Sequence, residues 1–415
     1  MTVARVASMH TSARREDRLE RMTPSAIREV HDLAVQLRAA HPERSVIPLH
    51  FGEGDLGTPE FIVEAGVAAL RGGAVFYESN AGRPDLTAAL AGHFNARLGL
   101  QLEPGHFVVT CGGVQAILLT MLGLVAPGDD VINITPAWPN FREAAVIAGA
   151  HVHELPLRFD AQAGAFHLDL GELERLGASL ERLRLVVVNT PSNPTGYVAS
   201  AEEQAALLAF CRRHEALLLA DEMYERIVFS EPPPPSFLQL AGPRDRLVVI
   251  NGFSKTYAMT GWRLGFLIAE PTLAARLAQM QEFVTSCAPA MAQVAALTAL
   301  RDGEGYVAES HARYRQLRDL TLERLRRIPG IIAARPDGAF YAFFRAPGTE
   351  DSLAFCKALL RETGVALAPG RAFGAGGEGW VRLCFAKEPA LLDDALGRLE
   401  RHVAAYGHLA YDEGP

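Results

Sequence analysis

Six short apolar runs, each closing on a polar or glycine-rich turn, constrain this chain more than any other feature. They cover residues 107–110, 130–134, 185–189, 217–220, 247–251 and 264–268. The runs read as continuously apolar, the pattern of strands buried on both sides. Stretches with helical spacing, such as 114–124 and 201–214, lie between several of them. Strand–helix–strand alternation predicts a mostly parallel sheet covered by helices on both faces. After about residue 300 the pattern changes. Residues 306–328 read as a long amphipathic helix with Tyr314, Leu317, Leu325 and Ile328 on one side. Residues 339–344 and 380–385 read as strands, with a helix over 352–362 between them. The expected fold class is α/β. A large domain spans 50–300, and a smaller α+β domain joins 301–415 to an N-terminal arm, 1–49. Residues beyond about Ala404 read as a tail.

Composition adds exclusions. A net charge of -8 leaves no broad basic surface for nucleic acid. The five cysteines, at 111, 211, 287, 356 and 384, are widely spaced and form no C-x-x-C pair. Reduced thiols are the expectation, over disulfides or a zinc site, and no metal is implied. Arg14, Arg15 and Arg18 stand among Glu16, Asp17 and Glu20 with no apolar segment after them, so no secretory signal is read here. No apolar run approaches the roughly 20 residues that cross a bilayer. A cytoplasmic protein without membrane or nucleic-acid partners is the default expectation.

The chemistry gathers at the ends of the expected strands, where loops and helix N-termini converge in open parallel sheets. Asn251-Gly-Phe-Ser-Lys-Thr-Tyr-Ala-Met-Thr-Gly-Trp-Arg-Leu-Gly265 presents Lys255 at the rim of the sheet, with Arg263 between Gly261 and Gly265. An amine near a guanidinium suits a cofactor with an aldehyde and a phosphate, the groups of pyridoxal phosphate. A solvated lysine beside a salt-bridged arginine is the other reading. Asp221 comes directly after 217–220, placed either to pair with a pyridinium nitrogen or to cap a helix. Tyr224 shares its side of that turn. Asn189-Thr-Pro-Ser-Asn-Pro-Thr-Gly196 is a rigid turn that aims Asn193. Thr110-Cys-Gly-Gly-Val-Gln-Ala116 opens a helix where backbone N–H groups can approach a phosphate, although a plain tight turn also uses Gly-Gly. Trp138 is set either to stack on a flat ring or to fill the core. Tyr77 lies in a loop-like segment. Arg382 interrupts the apolar run Val381-Arg-Leu383, and needs either a substrate carboxylate or a structural acid.

The resemblance rests on Gly52-Glu-Gly-Asp55, Tyr77 with Ala81-Gly-Arg-Pro84, Gly112-Gly113, Trp138 and the Asn189 octet. It continues through Asp221-Glu-Met-Tyr224, Ser254-Lys-Thr-Tyr-Ala-Met-Thr-Gly-Trp-Arg263, Gly338-Ala-Phe-Tyr341, Pro369-Gly-Arg-Ala-Phe-Gly374 and Val381-Arg382. In this order, over roughly residues 25–400, the segments closely resemble the pyridoxal-phosphate enzymes of fold type I, specifically the class I/II aminotransferases. The resemblance implies an enzyme that moves an α-amino group from an L-amino acid to a 2-oxo acid by ping-pong steps. Lys255 would form the Schiff base with pyridoxal phosphate and move the substrate proton. Asp221 would pair with the ring nitrogen, Tyr224 and Asn193 would bond the phenolate oxygen, and Trp138 would lie against the ring. Arg263, Ser254 and the backbone of Gly113 and Val114 would hold the phosphate. Arg382, Gly52 and Asn193 would hold the substrate α-carboxylate. Tyr77 would reach the phosphate of a neighbouring subunit, which implies a homodimer with shared active sites.

The chain departs from its relatives in two places. Those specific for aspartate often carry lysine where Val114 stands, and some carry another cation at Thr23, so a donor that is not strictly aspartate is expected. Gly112 and Gly113 replace hydroxyls seen at the phosphate turn of some relatives. The same resemblance extends to lyases that perform β- or γ-elimination. It also extends to non-catalytic regulators, but those usually carry an N-terminal DNA-binding domain. The roughly 25 residues before the enzyme-like region are too few for one.

Overall fold

The continuous apolar runs pair into one sheet whose central strands are buried on both faces. The structure is a computed structural model that describes residues 18–411. Residues 1–17 of the expected arm, with Arg14, Arg15, Glu16 and Asp17, and residues 412–415 of the expected tail lie outside the described residues. The strands are β1 (Phe107–Thr110), β2 (Asp130–Thr135), β3 (His151–Pro156), β4 (Leu183–Asn189), β5 (Leu217–Asp221), β6 (Leu247–Gly252) and β7 (Gly265–Ala269). Their order across the sheet is β1-β7-β6-β5-β4-β2-β3. Alternate residues face opposite sides. Val186, Val188, Leu218 and Ala220 enter one core cluster, and Leu185, Val187, Leu217 and Leu219 enter another. Helices close both: Leu90, Phe94 and Phe210 pack on the first cluster, Ile117, Met121 and Phe141 on the second.

β7 runs antiparallel to both neighbours, and the other strand pairs are parallel. The reason is the link before it. One helical turn (Phe253–Thr256) and one 3-10 turn (Thr260–Trp262) occupy the link, and neither can carry the chain back along the sheet as a parallel pair requires. β3 has no counterpart among the expected runs, because this edge strand carries His151, His153 and Glu154 in place of an apolar run. Register brings the strand ends together. Asn189 lies opposite Asp221, Asp221 opposite Ile250, and Gly265 opposite both Gly252 and Thr110.

A second, antiparallel sheet contains β8 (Ile332–Ala333), β9 (Tyr341–Arg345), β10 (Ala368–Pro369) and β11 (Val381–Cys384), in the order β8-β9-β11-β10. Six helices matter to the site and its supports: α1 (Ala26–Ala40), α2 (Gly113–Leu124), α3 (Asn140–Ala148), α4 (Glu304–Arg327), α5 (Ser352–Thr363) and α6 (Pro389–Tyr411). Tyr314, Leu317 and Leu325 of α4 are buried, as their spacing predicts, and so is Ile328 just beyond it. α6 continues to Tyr411, so the expected tail after Ala404 is helical to that point. A buried stripe of Leu392, Leu396, Leu399 and Val403 anchors the helix before that segment.

The segment before α1 divides its contacts. Arg18 and Arg21 donate to the carbonyls of Ile147 and Ala150 beside α3, at 3.0 and 2.7 Å. α1 instead meets α5, where Glu29 pairs with Lys357 at 2.7 Å. Ile47–Pro48 pairs in parallel with Val365–Ala366. No helix among the described residues is long and apolar enough to cross a membrane. All five cysteines are free.

Phe343 stacks on Trp380 with centroids 5.2 Å apart and planes 9° from parallel, and it lies opposite Arg382 in register. Phe343→Ala removes a fully buried ring and is expected to cost about 3–5 kcal/mol. A urea titration monitored by tryptophan fluorescence is expected to show a lower midpoint, and an unchanged midpoint would contradict this packing.

Candidate active site

The aligned strand ends open into a cavity of about 580 Å³. The loop beyond each strand end supplies its wall. β5 ends in Asp221 and leads to Tyr224, β4 leads to Asn193, and β6 leads to Ser254, Lys255 and Arg263. The start of α2 supplies Gly113 and Val114, the loop after β2 supplies Trp138, and Gly52 and Arg382 complete the lining. Of the residues given a cofactor or substrate role from sequence, only Tyr77 stands outside, on a loop where it is 89% exposed.

The electrostatics of this wall are unusual. Asp221 is buried, and its Oδ1 accepts the N–H of Met223 at 3.0 Å. Desolvation pushes its pKa up from 3.8 to about 7. Desolvation pulls Lys255 the other way, from 10.5 to about 8. The Lys255 amine donates to the Gly52 carbonyl at 2.6 Å. Arg382 is buried, with Nη1 donating to Asn193 Oδ1 at 2.7 Å, Nη2 to the His50 carbonyl at 2.5 Å, and Nε left without a partner. Its guanidinium lies 4.6 Å from the Tyr341 ring and 4.9 Å from the Phe373 ring. None of the three forms an ion pair among the described residues. The structural acid considered for Arg382 is therefore absent there, as is a salt bridge for Arg263, whose Nη1 donates to the Thr260 carbonyl at 2.7 Å.

Neighbouring groups tighten the arrangement. The Tyr224 and Tyr341 hydroxyls are 2.5 Å apart. Asn189 Nδ2 donates to the Asp221 carbonyl at 3.0 Å, and its Oδ1 accepts the N–H of Asn193 at 2.7 Å. At the turn before α2, Gly112 has φ +83°, and a Cβ there would meet Arg263 Nη2 at 2.5 Å. A Cβ on Gly265 would lie 2.6 Å from the Gly113 nitrogen. Glycine is what lets β7, the turn and Arg263 approach so closely. Asn189, Tyr341 and Arg28 also line the cavity, and sequence reading gave them no role. Tyr341 lies inside the quoted Gly338–Tyr341 motif, which was the available signal. Arg28, with its guanidinium 5.2 Å from the Phe51 ring, has no carboxylate partner among the described residues, and no local pattern marks it.

A family profile for aminotransferases of class I and II matches residues 44–399. The chain belongs to this family. It is 33% identical over 389 residues to an aspartate aminotransferase of Pyrococcus abyssi, covering 93% of this chain and 97% of the relative. It is 34% identical to aromatic-amino-acid aminotransferase 2 of Thermococcus litoralis, with the same coverage. Among solved structures it is similar to a single mutant of Thermus thermophilus aspartate aminotransferase. The TM-score is 0.86 at 34% identity, over 95% of this chain and 100% of that one. The protein is thus a pyridoxal-phosphate-dependent aminotransferase of fold type I.

The residues present fit that cofactor. A buried carboxylate without a cation partner matches a pyridinium. A lowered-pKa amine matches an aldehyde. A glycine-lined helix N-terminus beside an arginine matches a phosphate. Asp221 gives a test. In the cofactor-free protein its raised pKa means that the folded state holds a proton more tightly than the unfolded chain. Stability therefore falls as pH rises from 3.8 to about 7, by up to about 1.4 kcal/mol per pH unit. The Lys255 window, from about 8 to 10.5, lies above this one, and there stability rises with pH. Cofactor-free Asp221→Asn is expected to melt above cofactor-free wild type at pH 7.5 and level with it at pH 4. Pyridoxal phosphate is expected to raise the wild-type melting temperature more. Parallel pH profiles for the two proteins would contradict the assignment.

Proposed function

We propose that this aminotransferase works through the residues of the 580 Å³ cavity, with Lys255, Asp221 and Arg382 as its three charged anchors. The carrying observation is their convergence there without an ion-pair partner among the described residues. Pyridoxal phosphate, when bound, supplies a carbon that accepts and returns amino groups and a ring that draws electrons from the substrate Cα. Asp221 provides the negative charge that keeps the ring nitrogen protonated. Tyr224 and Asn193 bond the phenolate oxygen, and Trp138 covers the ring face. Arg263, Ser254 and the N–H groups of Gly113 and Val114 grip the phosphate. The left-handed backbone at Arg263, φ +54°, is strain of the kind held at working sites.

Arg382 binds the substrate α-carboxylate, with Asn193 and Gly52 beside it. This fixes the Cα–H bond toward Lys255, whose amine takes the proton and later returns one. Its lowered pKa keeps a large neutral fraction near pH 8. Positioning and proton transfer share the barrier. The apolar Val114 supports donors other than aspartate.

The protein acts as a cytoplasmic homodimer. Tyr77, Phe76 and Phe283 are 89, 80 and 82% exposed, an apolar patch suited to a second copy. Gln281 pins that loop, donating to the carbonyls of Asn80 at 2.6 Å and Val109 at 2.8 Å. Tyr77 then reaches the phosphate of the neighbouring copy. Residues 50–300 form the cofactor-binding domain and 301–411 with α1 form the smaller one, while Arg18 and Arg21 ahead of α1 reach the larger one.

A donor-by-acceptor activity matrix tests this reading. Neutral L-amino acids are expected to outrank aspartate as donors, and Lys255→Ala is expected to lose turnover with every pair. Undiminished transamination by Lys255→Ala would contradict the reading. Ammonia released from the donor without any acceptor would assign elimination instead.

A further inference from the structure

The cofactor cavity has a neighbour. A second cavity of about 770 Å³ shares Ser25, Val114, Pro139 and Asn140 with it. Val114 is apolar yet 38% exposed, as a residue between two open spaces is. Leu118, one turn further along α2, and Ile147 of α3 continue an apolar wall. The charges of this second cavity are already matched. Glu143 meets Arg142 at 2.6 Å, Glu29 meets Lys357 at 2.7 Å, and Arg371 meets Glu378 at 3.4 Å. Glu154 accepts the N–H of Ala375 at 2.7 Å and lies 3.9 Å from Arg142. One buried polar side chain in its lining carries an unpaired atom. Asn133 is 3% exposed, lines this cavity, and its amide oxygen has no hydrogen-bond partner. A buried amide left unpaired is costly, and a ligand group that satisfies it recovers that cost.

We propose that the second cavity is a side-chain subsite that selects donors with a long, mainly apolar stem and an uncharged hydrogen-bonding tip: a phenol, an indole or an amide. This rests on Arg382 as the α-carboxylate clamp, because the clamp sets where the side chain begins. Val114 and Leu118 line the path of the stem, and Asn133 receives the tip. Turning the Asn133 amide lets it present either its oxygen or its N–H₂ group. A charged tip would find each counter-charge here engaged and would lose its hydration without compensation. A short side chain leaves Asn133 as it is.

The test uses the cofactor-loaded enzyme with tyrosine, phenylalanine and alanine as donors. Leu118→Trp narrows the cavity and is expected to lower kcat/KM for tyrosine about tenfold or more, with alanine unchanged. Asn133→Leu, close in size but without the amide, is expected to erase the preference for tyrosine over phenylalanine while phenylalanine and alanine keep their rates. Cofactor absorbance in both variants is expected to match wild type. Equal effects on tyrosine and alanine, or no effect on tyrosine in either variant, would overturn the subsite. Arg382→Ala is expected to slow all three donors, and a failure there would count against the carboxylate clamp, not the subsite.

Discussion

Burial of ionisable groups without counter-charges governs this site. Asp221, Lys255 and Arg382 share one cavity and form no ion pair among the described residues. Burying a charge without a partner is costly, and a group so placed tends to change its protonation instead. Asp221 and Lys255 respond as that predicts, one pKa raised and the other lowered by desolvation. Arginine cannot respond this way, so Arg382 leans on two oxygens and two aromatic faces. A ligand carrying a cationic ring nitrogen, a carbonyl carbon and a carboxylate relieves all three strains, and an aminotransferase assembles such a set when cofactor and substrate meet.

The fold exists to hold those groups at one edge. Asn189, Asp221 and the end of β6 are neighbours through strand register, and the antiparallel β7 brings Gly265 against Gly113 and Arg263 against Gly112. The second sheet supplies Arg382 from β11 and Tyr341 from β9, so both sheets contribute to the cavity wall. The second cavity, beyond Val114, lies between the residues preceding α1, the helix α3 and the Phe373 loop.

Much of this was legible in the sequence because the central strands are buried on both faces, which gives continuous apolar runs, and because the chemistry sits directly after those runs. Asp221, Lys255 and the Asn189 octet could be read from that adjacency. Strand direction could not, since β7 reverses through link geometry and not through composition. β3 stayed hidden because an edge strand tolerates His151, His153 and Glu154. Only the last turns of α6, after Ala404, read as a tail, because Gly407 weakens the helical pattern there. Arg28 and Asn133 carry no local signature. Their neighbourhood is made by folding, as is the contact between Lys255 and the Gly52 carbonyl, 203 residues apart in sequence.

Lysine occurs in this chain at 255, 357 and 387 alone. Lys357 is engaged by Glu29, and Lys387 does not line the cofactor cavity. Borohydride reduction of the pyridoxal-phosphate-loaded protein, then digestion and mass spectrometry, therefore reports directly on which amine holds the cofactor. The account predicts the added mass on the peptide containing Lys255 and on no other. A cofactor fixed to Lys357 or Lys387, with the Lys255 peptide unmodified, would contradict it.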